Sequence, residues 1–193
     1  GRHIALVGRS GHMSSSCDAY LGPLLQSLGS SENLAVIDVL RGDTACSDEV
    51  SSLVCPSVRN AWDSPLRVVM HAGGVLRDAT LRNQTAGGVR TVFSPKSVSA
   101  QLVQDMGGCR EPVTSTLLFS SIASFLGSAG QSNYAAANAS LDGLAEAWSQ
   151  AGTSATSLQW GAWAGRGMAL RDKSTQRRLQ RLGLDLLEPD LGL

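Results

Sequence analysis

The stretch Leu117-Leu-Phe-Ser-Ser-Ile-Ala123, followed by Tyr134-Ala-Ala-Ala-Asn138, decides the fold of this 193-residue chain. The apolar residues before Ser121 form a short run bounded by polar positions, which predicts a buried strand. The Ala-rich residues after Gly130 predict a helix, on which Tyr134 and Asn138 lie four residues apart on one face. Because ligands bind at the carboxyl ends of the strands in open α/β sheets, we expect both groups to line one cleft.

Four side chains have complementary chemistry at this cleft. They are Tyr134, Asn138, Ser121 and Lys96, the last of which lies upstream in Ser94-Pro-Lys. A phenol, a hydroxyl, an amine and an amide can together protonate a carbonyl oxygen while hydride arrives from a nicotinamide. Tyr134 would give the proton, Ser121 would polarise the carbonyl, and the Lys96 ammonium would lower the tyrosine pKa. Asn138 would hold a water or a backbone carbonyl that orients the lysine. Each residue alone is more often structural, and the joint pattern predicts a reductase.

The rest of the chain alternates between predicted strands and helices. Strands are predicted at Ile4 to Val7, Leu34 to Ile37, Arg67 to His71, Thr114 to Ser120 and Ala155 to Gln159. Helices are predicted at Tyr20 to Leu28, Thr85 to Asp105 and Tyr134 to Ala151. This alternation indicates an α/β fold with a Rossmann-like doubly wound parallel sheet, which residues 1–193 would form as a single domain.

A second group of residues is expected to bind the cofactor. Arg9 and Ser10 follow the first predicted strand, where an arginine suits the 2′-phosphate of NADPH because its planar cation binds phosphate in a bidentate manner. The run His71-Ala72-Gly73-Gly74 follows a later strand, and its small residues would let the backbone approach a ribose. Asp38 and Val39 follow the second predicted strand, Leu34 to Ile37. No second His or Cys at ligand spacing supports a metal site.

The glycine-rich turn of a dinucleotide fold is not found before Arg9. The chain begins at what resembles the second strand of that fold, so the first strand and its turn are expected to be lacking. In the strand order 3-2-1-4-5-6 this loss would leave a gap in the middle of the sheet. We therefore expect the isolated 193-residue chain to bind NADPH weakly or not at all.

Composition narrows the remaining functional classes. The formal net charge of zero argues against nucleic-acid and membrane-surface partners, and no apolar run approaches the roughly 20 residues of a membrane span. The cysteines have no paired short spacing, and no secretory signal opens the chain. A reducing, cytoplasmic location is expected, or an organellar one if an import peptide has been lost.

Three segments of the chain resemble the ketoreductase domains of modular polyketide synthases and animal-type fatty acid synthases, a branch of the short-chain dehydrogenase/reductase superfamily. They begin at His71-Ala-Gly-Gly-Val-Leu-Arg-Asp-Ala, at Phe119-Ser-Ser-Ile-Ala and at Ser157-Leu-Gln-Trp-Gly-Ala-Trp. Most of the superfamily has Tyr-x-x-x-Lys, whereas these synthases resemble this chain in having Tyr-x-x-x-Asn, with the lysine on an earlier helix. The resemblance implies that Tyr134 is the proton donor, Ser121 the carbonyl ligand, Lys96 the pKa modulator and Asn138 the organiser.

The same resemblance implies further roles. Asp38 and Val39 would lie against the adenine, and Gly73 stands where the family usually has Ala, a change expected to be tolerated. Residues 161–193 would form a lid and closing segment. The residues implied in substrate binding and stereocontrol are Asp78, Leu126, Asn133, Trp160 and Met168.

The stereochemistry of the product is expected from three of these positions. Asp78 keeps the final Asp of the B-type Leu-Asp-Asp motif, and Leu126 replaces the Trp that is usual in A-type domains. Asn133 fits the B-type, and Ala129 departs from its frequent Pro. The pattern favours the B-type product.

The predicted reaction is the NADPH-dependent reduction of the β-keto group of an acyl chain. That chain would be held as a thioester on the phosphopantetheine arm of an acyl carrier protein, with other synthase domains as neighbours. Two alternatives remain open: a free-standing short-chain reductase of a small ketone, and a non-catalytic structural subdomain of a synthase.

Overall fold

The structure, a computed structural model, describes residues 2–12, 35–54, 66–107, 113–164 and 183–188, together with Pro23 and Gln26. The chain divides into two compact units, and each is described separately below. The first unit comprises Gly1–Val69 and Val98–Thr116, and the second comprises Met70–Ser97 and Leu117–Leu193. Within the described residues, no helix is long and apolar enough to cross a membrane.

The first unit is built on a parallel pair of strands. Strands β1 (Arg2–Gly8) and β2 (Ala35–Arg41) run side by side, with Ile4 opposite Ile37 and Leu6 opposite Val39. Helix α1 (Ser47–Val54) buries Val50 and Leu53. Gly42 lies against this helix, since a Cβ atom there would come 2.5 Å from Cδ1 of Leu53. A larger residue at position 42 would therefore have to displace the Leu53 side chain.

The remaining strands form a second sheet. Strands β3 (Val68–His71), β4 (Ser115–Ser121) and β5 (Ser154–Trp160) are hydrogen-bonded in the order β3-β4-β5. Alternate residues of β4 are buried, and Leu118 is fully enclosed. This alternation follows from the two-residue period of a strand, which turns successive side chains to opposite faces.

One long helical stretch is interrupted near its middle. Helix α2 (Ala86–Phe93) begins after Thr85, whose Oγ1 accepts a hydrogen bond from the Gly88 amide. A π-helical turn then spans Ser94–Val98, and helix α3 (Ser99–Gly107) follows. Pro95 has no amide hydrogen for the α-helical ladder, which explains why the helix widens at this point. The widened turn carries Lys96.

Two helices follow β4. The short helix α4 (Ala123–Leu126) comes directly after the strand, and helix α5 (Ser132–Gln150) runs for 19 residues before β5. Helix α5 buries Asn133, Ala137, Leu141 and Ala145 at intervals of four residues, the spacing of one helix face, and Asn138 beside them. This buried face fixes which side chains of α5 point towards the sheet.

The alternating α/β architecture and the position of every predicted strand are confirmed within one to four residues. Within the described residues, β1 and β2 form a two-stranded sheet and β3, β4 and β5 form a three-stranded one. The expected gap left by a missing first strand stays a prediction. The expected end of β2 was wrong: the strand extends to Arg41, so Asp38 and Val39 lie within it, opposite Ala5 and Leu6.

Some local elements were not predicted. They are helix α1, a 3₁₀ turn at Leu81–Asn83, the π-helical turn and helix α4. The predicted helix Tyr20 to Leu28 lies outside the described residues except for Pro23 and Gln26.

The buried face of β4 gives a direct test of this packing. Leu118 is 0% exposed, so Leu118→Ala should lower the free energy of unfolding by about 2 to 5 kcal/mol through lost apolar contacts and a residual cavity. Phe125→Ala is the control, because Phe125 is 82% exposed and its loss should cost about 0.5 kcal/mol or less. Chemical denaturation measures both, and equal losses would contradict this placement of β4.

Candidate active site

Lys96 is buried in the second unit and bonded to strand β4. Its side chain is 3% exposed, and its Nζ donates a hydrogen bond to the Phe119 carbonyl oxygen at 2.9 Å. Phe119 lies two residues before Ser121 at the carboxyl end of β4. This bond brings the widened helical turn to the strand end that the sequence predicted as the centre of the site.

Two glycines after β3 allow the Lys96 turn to come this close. A Cβ atom on Gly74 would lie 3.1 Å from Cε of Lys96, and one on Gly73 would lie 2.6 Å from the Pro95 carbonyl oxygen. The second contact is with backbone, which cannot move away as a flexible side chain can. The small residues expected to admit a ribose therefore also admit the helical turn. The Ala that the family usually has at position 73 would bring its Cβ against the Pro95 carbonyl oxygen, so the glycine of this chain suits this packing.

Tyr134 projects from the first turn of α5 beneath Lys96. The Lys96 Nζ lies 5.6 Å from the centroid of the Tyr134 ring, a distance at which an ammonium and an aromatic face attract each other. The side chains of Ser121 and Asn138 lie close enough to the Tyr134 hydroxyl to influence its pKa. All four residues predicted as catalytic are thus brought together in one unit.

Asn138 and Ser121 complete this group. Asn138 is fully buried, and its Nδ2 donates to the Tyr134 carbonyl oxygen at 2.8 Å. The Oγ of Ser121 accepts from the Ala123 amide at 3.2 Å, which fixes the hydroxyl at the start of α4. The Oδ1 of Asn138 is buried and accepts no hydrogen bond from the described residues. A buried acceptor of this kind is stabilised when a donor reaches it.

The pKa values of the group follow from burial. Burial lowers the pKa of Lys96 to about 8, although the carboxylate of Asp142 opposes the change. Burial raises the pKa of Tyr134, and hydrogen bonds from Ser121 and Asn138 only partly offset it. The expected lowering of the tyrosine pKa is therefore wrong for this structure, because desolvation of the phenolate outweighs the favourable contacts. Lys96 remains mainly an ammonium at neutral pH.

His71 lies beside Lys96. The imidazole is buried at the end of β3, and a Cβ on Gly73 would lie 3.4 Å from its Nε2. Burial and then the Lys96 charge lower the pKa of His71 to about 4, so the side chain is neutral near pH 7. A neutral His71 adds no second positive charge next to the lysine. The described part of the chain contains no group of three His, Cys, Asp or Glu side chains that could hold a metal ion.

The predicted cofactor residues divide between the two units. Arg9 and Ser10 are exposed after β1, while Asp38 and Val39 lie within β2 of the same unit. Ala72 and Gly73 are exposed after β3 in the second unit, and Gly74 is half-buried. A nicotinamide cofactor fits the second unit in two respects: exposed backbone without bulky side chains follows β3, and a buried amide oxygen of Asn138 accepts no hydrogen bond from the described residues.

The predicted stereocontrol residues are joined by hydrogen bonds that the sequence did not reveal. The Nε2 of Gln131 donates to Asp78 Oδ2 at 2.9 Å, and its Oε1 accepts from Ser128 at 2.7 Å. The Nδ2 of Asn133 donates to the Arg77 carbonyl oxygen at 2.7 Å. The loop after β3 is thereby tied to the start of α5, next to Tyr134. Gln131 was missed because its partner Asp78 is 53 residues away.

The other predicted substrate residues lie around this group. Leu126 is 55% exposed at the end of α4. Trp160 ends β5, and its ring packs against Phe119 at 5.7 Å and against Trp163 at 4.8 Å between centroids. Met168 lies outside the described residues, as does most of the predicted lid and closing segment.

A carboxylate network next to the site was also missed. Asp142 of α5 accepts hydrogen bonds from Ser157 Oγ at 2.6 Å and from Gln159 Nε2 at 2.9 Å, both on β5. Its position, four residues after Asn138, is the signal that could have identified it, since the same spacing relates Tyr134 to Asn138.

The chain is similar to known proteins in family profile, sequence and structure. The profile of the KR domain family matches residues 1–165. The chain is 37% identical over 194 residues to the spectinabilin polyketide synthase system protein NorB of Streptomyces orinoci, of which it covers 8%. It is 35% identical over 197 residues to the pikromycin polyketide synthase component PikAII of Streptomyces venezuelae, of which it covers 5%. In both alignments 100% of this chain is matched, so it spans less than a tenth of each relative.

Solved structures give the same result. An A-type ketoreductase from a modular polyketide synthase matches 98% of this chain with a TM-score of 0.83 and 32% identity, and the match covers 38% of that chain. The ketoreductase PlmKR1, from the first module of phoslactomycin biosynthesis in Streptomyces sp. HK803, matches 96% of this chain with a TM-score of 0.79 and 30% identity, covering 40% of that chain. The chain belongs to the KR domain family, the ketoreductase domains of modular polyketide synthases within the short-chain dehydrogenase/reductase superfamily.

Proposed function

We propose that this chain reduces the β-keto group of an acyl thioester to a hydroxyl group, with NADPH as the reductant. The substrate would be held on the phosphopantetheine arm of an acyl carrier protein, within a synthase whose other domains are its neighbours. The observation that carries the proposal is the convergence of Lys96, Ser121, Tyr134 and Asn138 in one unit. All four residues lie within residues 1–165, the part of the chain that the KR family profile matches.

Each residue would have one task. Ser121 and Tyr134 would donate hydrogen bonds to the substrate carbonyl oxygen, and the Tyr134 proton would pass to that oxygen as negative charge develops. Lys96, held over the tyrosine ring, would stabilise the resulting phenolate through its positive charge. Asn138 would fix the first turn of α5 through its bond to the Tyr134 carbonyl. NADPH would supply the hydride.

Burial of the site serves this reaction. Lys96 is 3% exposed and Asn138 is 0% exposed, so few water molecules screen the charge on the lysine. An electrostatic interaction is stronger where the local dielectric constant is low. The Lys96 charge would therefore stabilise the Tyr134 phenolate more in this buried site than in water. The raised tyrosine pKa keeps the proton on Tyr134 until a substrate oxygen can accept it.

A synthase role is favoured over a free-standing reductase by the lengths of the relatives. The chain matches 8% of NorB and 5% of PikAII, so the similar region in each is one part of a large multienzyme. A reducing, cytoplasmic location is part of this proposal. A non-catalytic structural role is the alternative, and the experiments below distinguish it from catalysis.

Removal of the proton donor is the first test. Tyr134→Phe should lower kcat for a β-ketoacyl thioester by about 10² to 10⁴-fold, because proton transfer in the transition state is lost. The rate is measured as NADPH oxidation at 340 nm. The sample is the longest natural polypeptide that contains this chain. Tyr20→Phe is the matched control, since it removes the other tyrosine of the chain. Similar activity in both variants would refute the role of Tyr134.

Cofactor preference tests the assignment of Arg9. Arg9→Ala should lower kcat/KM for NADPH by about 10 to 100-fold, the value of a lost charge-assisted hydrogen bond, and leave kcat/KM for NADH nearly unchanged. Arg82→Ala, a change of the same type on the 3₁₀ turn, is the control. An equal loss with both cofactors would mean that Arg9 does not bind the 2′-phosphate.

Product configuration tests the B-type assignment. Asp78, Leu126 and Asn133 support a B-type product, whereas a similar solved structure is described as A-type. We expect chiral chromatography of the hydroxyacyl product to give the B-type enantiomer. Gln131→Leu should reduce the enantiomeric excess, because it removes the hydrogen bond to Asp78. The A-type enantiomer from the unchanged protein would reverse the assignment.

A further inference from the structure

Trp160, the last residue of β5, has no task in the mechanism above. The resemblance to ketoreductases implies only that it belongs to the substrate-binding region. In the structure β5 is the neighbour of β4, the strand that ends at Ser121. The contacts of Trp160 lie on both sides of Ser121 in the chain, and they indicate a more specific role.

The Trp160 ring packs against the side chain of Phe119. The two ring centroids are 5.7 Å apart and the ring planes are inclined by 58°, a geometry in which aromatic pairs attract each other. Phe119 precedes Ser121 by two residues, and its carbonyl oxygen accepts the hydrogen bond from Lys96 Nζ. The ring of Trp160 therefore stabilises the residue to which the buried lysine is attached.

The backbone of Trp160 contacts the residue that follows Ser121. The Ile122 amide donates to the Trp160 carbonyl oxygen at 3.0 Å. Ile122 directly precedes helix α4, and the next amide, that of Ala123, donates to Ser121 Oγ at 3.2 Å. A single residue of β5 thus holds the chain both before and after Ser121.

The Trp160 ring is itself supported by Trp163. The centroids of these two rings are 4.8 Å apart. Trp163 pairs with Leu187 in a parallel bridge, and hydrogen bonds of 2.7 and 2.8 Å join Leu187 to Ala162 and Ala164. Trp160 is therefore packed against a segment that backbone hydrogen bonds fix in place.

The indole nitrogen of Trp160 is buried and donates to no atom of the described residues. Within this part of the chain, the ring is held by packing and not by a hydrogen bond of its own. A phenylalanine at position 160 would keep an aromatic contact with Phe119 and leave no new polar group unpaired. The Trp160→Phe variant can therefore separate the effect of packing from that of the indole N–H.

We propose that Trp160 is a positioning residue, which holds the end of β4 and with it the Ser121 hydroxyl in the geometry that ketone reduction needs. This inference rests on the proposed function for its catalytic meaning. Trp160 acts through Phe119 and Ile122, and it touches neither substrate nor cofactor. A catalytic group that is displaced by about 1 Å can cost about 10²-fold in rate, which sets the scale of the effect.

Trp160→Ala is the test, because it removes both aromatic contacts and keeps the backbone hydrogen bond from Ile122. In the polypeptide used for Tyr134→Phe, it should lower kcat by about 10 to 100-fold and leave KM for the thioester nearly unchanged, since the serine is displaced while substrate binding is kept. Trp160→Phe should restore most of kcat. Trp148→Ala, the same change near the far end of α5, is the matched control and should leave kcat nearly unchanged.

A double variant shows whether Trp160 acts through Ser121. Once Ser121→Ala has removed the hydroxyl, the further change Trp160→Ala should cost much less than it does alone. Losses that multiply in the double variant would overturn the proposal. So would a rise in KM without a fall in kcat, which would make Trp160 a substrate contact. Failure of Trp160→Phe to restore kcat would overturn it as well, because the indole N–H would then be the acting group.

A second measurement needs no turnover. Lys96 is 3% exposed and attached to Phe119, so the rate at which N-hydroxysuccinimidyl acetate acylates it reports on order at the end of β4. Mass spectrometry of the peptide that contains Lys96 should show severalfold faster acylation in Trp160→Ala than in the unchanged protein or in Trp148→Ala. Equal rates in all three would contradict the proposal.

Phe119→Leu covers the case in which Trp160→Ala does not fold, as judged by limited proteolysis. It removes the same aromatic contact from the β4 side and keeps the carbonyl oxygen that binds Lys96. It should therefore lower kcat and accelerate Lys96 acylation, and the absence of both effects would overturn the proposal. Failure of the proposed function would appear separately, as unchanged turnover in Tyr134→Phe while Trp160→Ala still accelerates Lys96 acylation.

Discussion

The hydrogen bond from Lys96 Nζ to the Phe119 carbonyl oxygen is the interaction on which the site depends. An ammonium that is 3% exposed is costly to desolvate, and its burial is reflected in a pKa of about 8. The bond compensates part of that cost and fixes the lysine at the end of β4. Ser121 lies two residues further along the same strand. The position of the cation and that of the serine are therefore set by one backbone segment.

Several otherwise unusual local features follow from this bond. The π-helical turn Ser94–Val98 places Lys96 towards the sheet, and Pro95 accounts for the widening because it cannot donate to the α-helical ladder. Gly73 and Gly74 leave the space into which that turn packs. A helix without the proline, or a loop with larger side chains, would hold the lysine further from Tyr134. The π-helical turn and the two glycines thus set the position of Lys96 relative to Tyr134.

The start of α5 is also held in place by hydrogen bonds, in this case to the loop that follows β3. Three residues at or just before the start of the helix form these hydrogen bonds: Gly130, Gln131 and Asn133. The bonds hold the loop to the helix that carries Tyr134. Asp78 accepts a hydrogen bond from Gln131, which helps to fix the orientation of its carboxylate. Stereochemical fingerprints in sequence can thus act through the backbone positions that they fix.

The sequence by itself determined the α/β alternation, the parallel direction of the strands, and which four side chains, Lys96, Ser121, Tyr134 and Asn138, would lie together in one unit. These rest on local patterns: apolar runs of strand length, an Ala-rich helix, and the four-residue spacing of Tyr134 and Asn138. The tertiary structure alone decided that burial raises the tyrosine pKa, that Gly73 and Gly74 accommodate the Lys96 turn, and that Gln131 and Asp142 adjoin the site. These depend on contacts between residues far apart in the chain, and on desolvation, which is a property of the packed interior and not of any local pattern.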